Sequence, residues 1–305
     1  MSEPFISVIV PTYGRPAQLA ALLAALARQD YPRARFEVVV IDDGSERAPE
    51  AEVARAAREI EARLAVQSNA GPSAARNHGA RLARGDYFAF TDDDCEPEPA
   101  WLSSLARRLV ETGARVVGGR TVNAIESNLC AATSQLTTEV VYAYYNPDPR
   151  DARFFASNNL AVPAREFCDA GGFDERYRWA EDREFCDRWR GRGFAMRYAP
   201  DAVVRHAHHL GLRTLWLQHF GYGRGAWNFH RGRALRGAAG RFRPDLTFYR
   251  RLLAAPFGAR PVGRAAALAA LVVWAQAANT AGFIYERARA SRGEDAHGVK
   301  LSDDA

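Results

Sequence analysis

The amino-acid sequence predicts an α/β fold, a mostly parallel sheet flanked by helices, continued by a C-terminal helical extension. Short, continuously apolar, β-branched runs alternate with segments whose leucines recur at helical spacing. That alternation describes strands buried on both faces and joined by helical crossovers. Each of three runs is followed by a polar loop, at residues 11–14, 42–45 and 92–94. Such loops converge at one edge of a parallel sheet, outside the carboxyl ends of its strands, where ligands bind.

The elements follow in order. Residues 6–10 form a strand that ends at Pro11-Thr12-Tyr13-Gly14, and Leu19, Leu22, Leu23 and Leu26 mark the helix after it. Residues 36–41 repeat the strand and break at Asp42-Asp43-Gly44-Ser45, after which 49–64 reads as a helix. A short strand at 63–67, a helix at 73–84, a strand at 87–90 and a helix at 100–111 continue the alternation. From 126 to 153 the pattern loosens into a polar, Tyr-rich stretch that predicts a flexible connection or lid. Beyond residue 201 come a His cluster, an Arg- and Gly-rich stretch at 224–243 and an uncharged run at 265–285. The expected organisation is a main domain over 1–210 and a helical extension over 211–305 with a disordered tail from 291.

The 305 residues, 48% of them hydrophobic, can bury the core of one large domain. The net charge of +5 rests on arginine, since Lys300 is the only lysine. Arginine suits phosphate, because its planar fork donates two parallel hydrogen bonds and never loses its charge. No helix-turn-helix, zinc-finger or RNA-recognition motif accompanies the charge, so nucleic acid is not the expected partner. Cys95, Cys130, Cys168 and Cys186 form no Cys-x-x-Cys pair and read as reduced thiols rather than a disulfide framework or zinc site. The chain passes from Met1-Ser2-Glu3-Pro4 directly into the first strand without a leader pattern, which predicts a cytoplasmic protein.

Chemistry concentrates at Thr91-Asp92-Asp93-Asp94, where three carboxylates follow a strand. In a partly buried site they repel one another unless a divalent cation or a hydrogen-bond network compensates them. Five further motifs accompany this one: Val8-Ile9-Val10-Pro11-Thr12-Tyr13, Ile41-Asp42-Asp43-Gly44-Ser45, Asn69-Ala70-Gly71-Pro72-Ser73-Ala74-Ala75-Arg76-Asn77, Gly171-Gly172-Phe173-Asp174-Glu175 and Ala180-Glu181-Asp182. With these six in order, residues 5 to about 210 resemble a family 2 glycosyltransferase of the Rossmann-like GT-A fold.

The resemblance implies an inverting, metal-dependent enzyme that moves one sugar from a nucleotide-diphosphate sugar to a hydroxyl acceptor in cell-surface polysaccharide or glycolipid assembly. By the same resemblance Pro11, Thr12 and Tyr13 wrap the base, with Tyr13 stacking on it. Asp43 accepts a base-ring NH, which favours UDP or dTDP donors, while Asp42 is structural. Arg76 pairs with the diphosphate or orients the acidic loop. Asp92 and Asp93 lie on the donor, Asp94 ligates Mn2+ or Mg2+, and His206 of His206-Ala207-His208-His209 is the second ligand. Asp182 is the general base, and Asn158, Trp179 and Glu181 line the acceptor side, the acceptor being a glycan or lipid-linked. Processive relatives carry Gln-x-x-Arg-Trp, whereas Gln218-His219-Phe220-Gly221-Tyr222 stands here, which implies addition of a single sugar.

Two alternatives fit less well. A sugar-phosphate nucleotidyltransferase needs a Gly-rich, Arg-containing loop after the first strand, which Pro11-Thr12-Tyr13-Gly14 lacks. A module that binds nucleotide sugars or glycans without turnover is disfavoured by the presence of both Asp94 and Asp182. The run at 265–285 has the ~20 residues of one bilayer span and is flanked by Arg260, Arg264, Arg287 and Arg289. Its alanines, with Gln276, Asn279 and Thr280, equally suit an interfacial helix on an anionic membrane surface, or a helix packed on the enzyme itself. Either membrane placement, at the inner face of the cell membrane, suits a lipid-linked acceptor.

Overall fold

The computed structural model describes residues 3–237, 245–258 and 260–292. The first half alternates as β1 (Ile6–Thr12), α1 (Pro16–Ala27), β2 (Phe36–Asp42), α2 (Glu50–Ala56), β3 (Ala62–Val66), α3 (Pro72–Leu82) and β4 (Tyr87–Phe90). Next come β5 (Cys95–Pro97), α4 (Trp101–Thr112), β6 (Val116–Asn123) and α5 (Leu129–Tyr145). They are followed by β7 (Leu160–Pro163), α6 (Ala164–Asp169), α7 (Glu181–Gly191) and β8 (Met196–His206). Three helices, α8 (Leu212–Leu235), α9 (Leu246–Ala254) and α10 (Val262–Ser291), lie beyond the last strand.

The strands form one sheet in the order β3-β2-β1-β4-β7-β6-β8-β5. β1 runs parallel to β2 and β4, β2 to β3, and β6 to β8, while β7 is antiparallel to both neighbours and β5 to β8. Successive residues of a strand point to opposite faces. Val8, Val10, Val38 and Val40 therefore pack with Leu19, Leu22 and Trp101 on one face. Ile9, Phe88 and Phe90 meet Phe167, Phe173, Phe185 and Trp189 on the other. Both faces are covered, which is why β1 and β2 are mostly apolar, their buried Ser7 and Glu37 bonded to each other at 2.7 Å.

Two expectations are corrected. The helix expected over 49–64 stops at Ala56, because Ala62 to Val66 pair in register with Val38 to Asp42. Sheet pairing overrides the helix propensity of that Ala-, Arg- and Glu-rich segment. The connection or lid expected over 126–153 contains the 17-residue helix α5, capped by Asn128, whose side chain accepts from the Ala131 amide at 2.8 Å. Of the tail expected to be disordered from 291, Ser291 ends α10, Arg292 caps it, and the remainder lies outside the described residues.

α8 and α10 approach until backbones touch. A Cβ on Gly223 would stand 1.9 Å from the Asn279 carbonyl oxygen, and one on Gly282 would stand 1.9 Å from that of Phe220. Arg224 and Glu286 form an ion pair at 2.6 Å across the same seam, where Glu286 is buried. Among the described residues α10 alone is long and apolar enough to cross a membrane, and 28% of its most apolar window is buried. Val273, Trp274, Ile284 and Tyr285 are exposed on it.

Candidate active site

The acidic loop meets the end of β1 directly. Thr12 Oγ1 donates to Asp93 at 2.8 Å, and both residues are buried. Arg15, one residue before α1, reaches back so that one Nη1 lies 3.3 Å from Asp93 and 3.1 Å from Asp94. Asp92 pairs with the buried Arg76 of α3 at 2.6 Å. All three carboxylates thus have a cationic partner. Burial pushes the Asp93 carboxyl up to about 6 against the pull of Arg15. Burial acts the same way on Asp94, but hydrogen bonding and charge from His206, with Arg15, outweigh it and hold that group at about 2.

His206 reaches Asp94 through strand pairing. Cys95 stands opposite His206 in the β5–β8 ladder, and the Ala207 amide donates to the Asp94 carbonyl at 2.8 Å. This sets Asp94 Oδ1 and His206 Nε2 3.2 Å apart. Two adjacent ligands of an octahedral ion at ~2.1 Å lie about 3 Å from each other, so a single divalent cation fits the pair. Cys95 Sγ is the third ligand-type atom, all three lying within 4.8 Å of one another. Burial pushes the Cys95 thiol well above its usual range, and a protonated thiol does not ligate a hard cation.

Beside the acidic loop, Pro11 and Thr12 are buried at the end of β1 and Tyr13 stands 45% exposed. The Asp43 carboxylate accepts from Gln67 Nε2 and from the Ala70 and Gly71 amides, each at 2.8 Å. Three of its roughly four acceptor positions are thereby taken. Asp42 binds the Ser45 amide at 3.2 Å and the Ser45 hydroxyl, a local turn contact.

The second acidic group begins after Ala180, whose φ of 68° is the one positive value at a non-glycine among the described residues. This left-handed residue caps α7 and turns Glu181 and Asp182 inward. Arg76 Nη1 pairs with Glu181 at 3.2 Å, and Ser157 Oγ donates to the same oxygen at 3.4 Å. Arg76 therefore links the acidic loop to the acid pair. Burial first, and then the charge of Glu181, pushes the Asp182 carboxyl up to about 7; burial also raises Glu181. Asp182 accepts the Arg183 amide at 2.6 Å.

Trp179 lies against α8, where a Cβ on Gly221 would come 2.7 Å from its ring and one on Gly225 2.7 Å from its carbonyl oxygen. Its Nε1 is buried with no hydrogen-bond partner among the described residues, and its ring meets the edge of Tyr222 at 6.4 Å. Asn158 is buried and bonded to Thr121 at 3.3 Å; its neighbour Ser157 is the residue that touches Glu181. Arg15 is a participant that motif reading missed, because an arginine before a helix-opening proline resembles any surface arginine.

The family model described as glycosyl transferase family 2 matches residues 7–170, more than half of the chain. The glycosyltransferase AglE of Haloferax volcanii is 35% identical over 119 residues, 38% of this chain and 39% of that protein. A pre-mycofactocin glycosyltransferase of Mycobacterium tuberculosis is 29% identical over 221 residues, covering 70% of this chain and 44% of that protein. The chain spans less than half the length of these curated relatives. Among solved structures, the mannosyltransferase PcManGT from Pyrobaculum calidifontis, in complex with GDP-Man and Mn2+, superposes with a TM-score of 0.67 at 21% identity, over 94% of this chain and 88% of that one. TarS 1–349 of S. aureus, in complex with UDP-GlcNAc, gives a TM-score of 0.52 at 19% identity, over 98% and 95%. The chain belongs to glycosyl transferase family 2 and has the GT-A fold.

Proposed function

We propose that the protein is an inverting, metal-dependent glycosyltransferase that moves a single sugar from a nucleoside-diphosphate donor, UDP or dTDP by preference, to a hydroxyl of a glycan or lipid-linked acceptor. One observation carries the reading: buried Arg76 ties the acidic loop beside the Asp94–His206 pair to a second, separate acid pair whose Asp182 is raised into the range of a working base. The GDP-Man and Mn2+ of one structural neighbour and the UDP-GlcNAc of another support the donor class and the metal.

Asp94 and His206 would hold Mn2+ or Mg2+, which when bound supplies Lewis-acid stabilisation of the charge on the departing nucleoside diphosphate. Tyr13 stacks on the base, and Asp92 and Asp93 face the ribose and sugar. Asp182 takes the proton of the acceptor hydroxyl as its oxygen attacks the anomeric carbon, and one in-line displacement inverts the configuration. A base whose pKa lies near the operating pH combines availability with driving force. The exposed apolar side chains of α10 and its flanking arginines support placement at the inner face of the cell membrane, beside a lipid-linked acceptor.

Asp182→Asn tests the assignment. Loss of a positioned general base costs about 10²–10⁴ in rate, so transfer should fall at least about a hundredfold while Mn2+-dependent nucleotide affinity, titrated with UDP, dTDP and GDP, stays within about twofold. A variant that keeps more than about a tenth of the activity removes Asp182 from this role.

A further inference from the structure

A cavity of about 490 Å3 lies among the end of α5, the segment after it, α7, α8 and α9. Five arginines line it, contributed by four parts of the chain: Arg153, Arg183 and Arg190 of α7, Arg233 and Arg251. Its one carboxylate, Asp187, is already engaged by Arg233 and Arg236, each at 3.2 Å. Arg190 leans on Asp151 at 3.6 Å, and Arg153 and Arg251 form no ion pair among the described residues. Arg183 is fixed: its Nη2 donates to the Tyr145 hydroxyl at 2.8 Å, and its guanidinium lies over the Phe229 ring at 4.4 Å.

With Arg233 and Arg190 paired to Asp187 and Asp151, the charges of Arg153, Arg183 and Arg251 have no ion pair among the described residues and repel one another, and aromatic walls at Tyr144, Tyr145 and Phe229 remove part of the water that would screen them. Such a cluster favours an anion. One carboxylate needs a single bidentate arginine, whereas the several charges and oxygens of a phosphate or diphosphate match this number of forks. The position connects the cavity to catalysis. Arg183 directly follows Asp182, and Phe229 is seven residues along α8 from the Tyr222 that meets Trp179, about 10 Å along the helix.

We propose that this cavity binds a phosphate or diphosphate group of the acceptor, which makes the acceptor class anionic and phosphate-bearing. The inference rests on the transferase reading only in naming the acceptor as the source.

The test is calorimetric titration of the full chain with inorganic pyrophosphate near neutral pH in EDTA. Wild type binds, and so does Arg35→Gln/Arg58→Gln, which removes equal charge from exposed sites elsewhere. Arg153→Gln/Arg251→Gln binds at least about tenfold more weakly, and Asp94→Asn binds as wild type does. Absence of binding to wild type, equal affinity in the Arg153/Arg251 variant, or loss confined to Asp94→Asn overturns the proposal. Farnesyl diphosphate separates the sources: binding at least about tenfold tighter than pyrophosphate assigns a lipid-borne diphosphate, and equal binding assigns a phosphate within the glycan. UDP and GDP titrated with Mn2+ into wild type report on the donor site independently. Their failure strikes the transferase reading and leaves the anion cavity standing.

Discussion

Replacing Arg76 by Met keeps much of the side chain's length and removes its charge from a site where it is 3% exposed. The change strands Asp92, bonded at 2.6 Å, and Glu181, bonded at 3.2 Å. Breaking a buried ion pair from one side costs about 3–5 kcal/mol, because the remaining charge stays desolvated. Two charge-assisted hydrogen bonds at about 1.5–3 kcal/mol each give the same range. The loss should depend on pH. Burial already raises Glu181, and loss of Arg76, whose charge pulls it down, raises it further. The folded variant then binds more protons than its unfolded chain between the ordinary carboxylate range and the raised value, so its stability falls as pH rises through that window. Urea unfolding followed by far-UV circular dichroism should show a deficit of about 3–5 kcal/mol near pH 8, and a smaller one near pH 5, where protonation removes the stranded charge. A deficit under about 1 kcal/mol near pH 8, or one equal at both pH values, would refute the argument that Arg76 neutralises both halves of the site.

Further outcomes follow from the same geometry. Because Asp182 must be deprotonated to act and is raised to about 7, kcat/KM should climb about tenfold per pH unit below that value and level off above it; a flat profile from about pH 5.5 to 7.5 would count against it. Ala180→Gly relieves a left-handed alanine at φ 68° and should stabilise the protein by about 1 kcal/mol, read as a higher Tm, whereas an unchanged or lower Tm would mean that the turn is unstrained. Gly223→Ala drives a methyl to 1.9 Å from the Asn279 carbonyl oxygen and should destabilise by about 1–3 kcal/mol or more, checked by chemical unfolding; a neutral result would mean that the α8–α10 seam opens freely.

The acidic-loop half of the site was largely legible because its signals are local: Asp92 to Asp94 are contiguous, and β1, β2 and β4 contain the apolar runs at 6–10, 36–41 and 87–90. His206 was legible only through family pattern, since its place beside Asp94 depends on the pairing of β8 with the three-residue strand β5, too short to show a period. α5 was not legible, because its threonines, valines and tyrosines favour strand or loop in isolation, and its Asn128 cap and contacts with α9 and α10 make it a helix. The acceptor side was the least readable. Trp179 depends on glycines more than 40 residues downstream, and Arg76 on an acid pair whose inward turn requires an unfavourable backbone at Ala180.

The seam between α8 and α10 changes what detachment from a surface would mean. The helix that carries the outward apolar side chains also holds α8 by backbone contact at Gly223 and Gly282 and by the Arg224–Glu286 pair, and α8 is the wall against which Trp179 rests. The two helices are one mechanical unit. Removing α10 would take away the brace behind α8 and Trp179. On the proposed placement of α10 at a membrane, a pull on that helix would be transmitted through these helix contacts to Trp179.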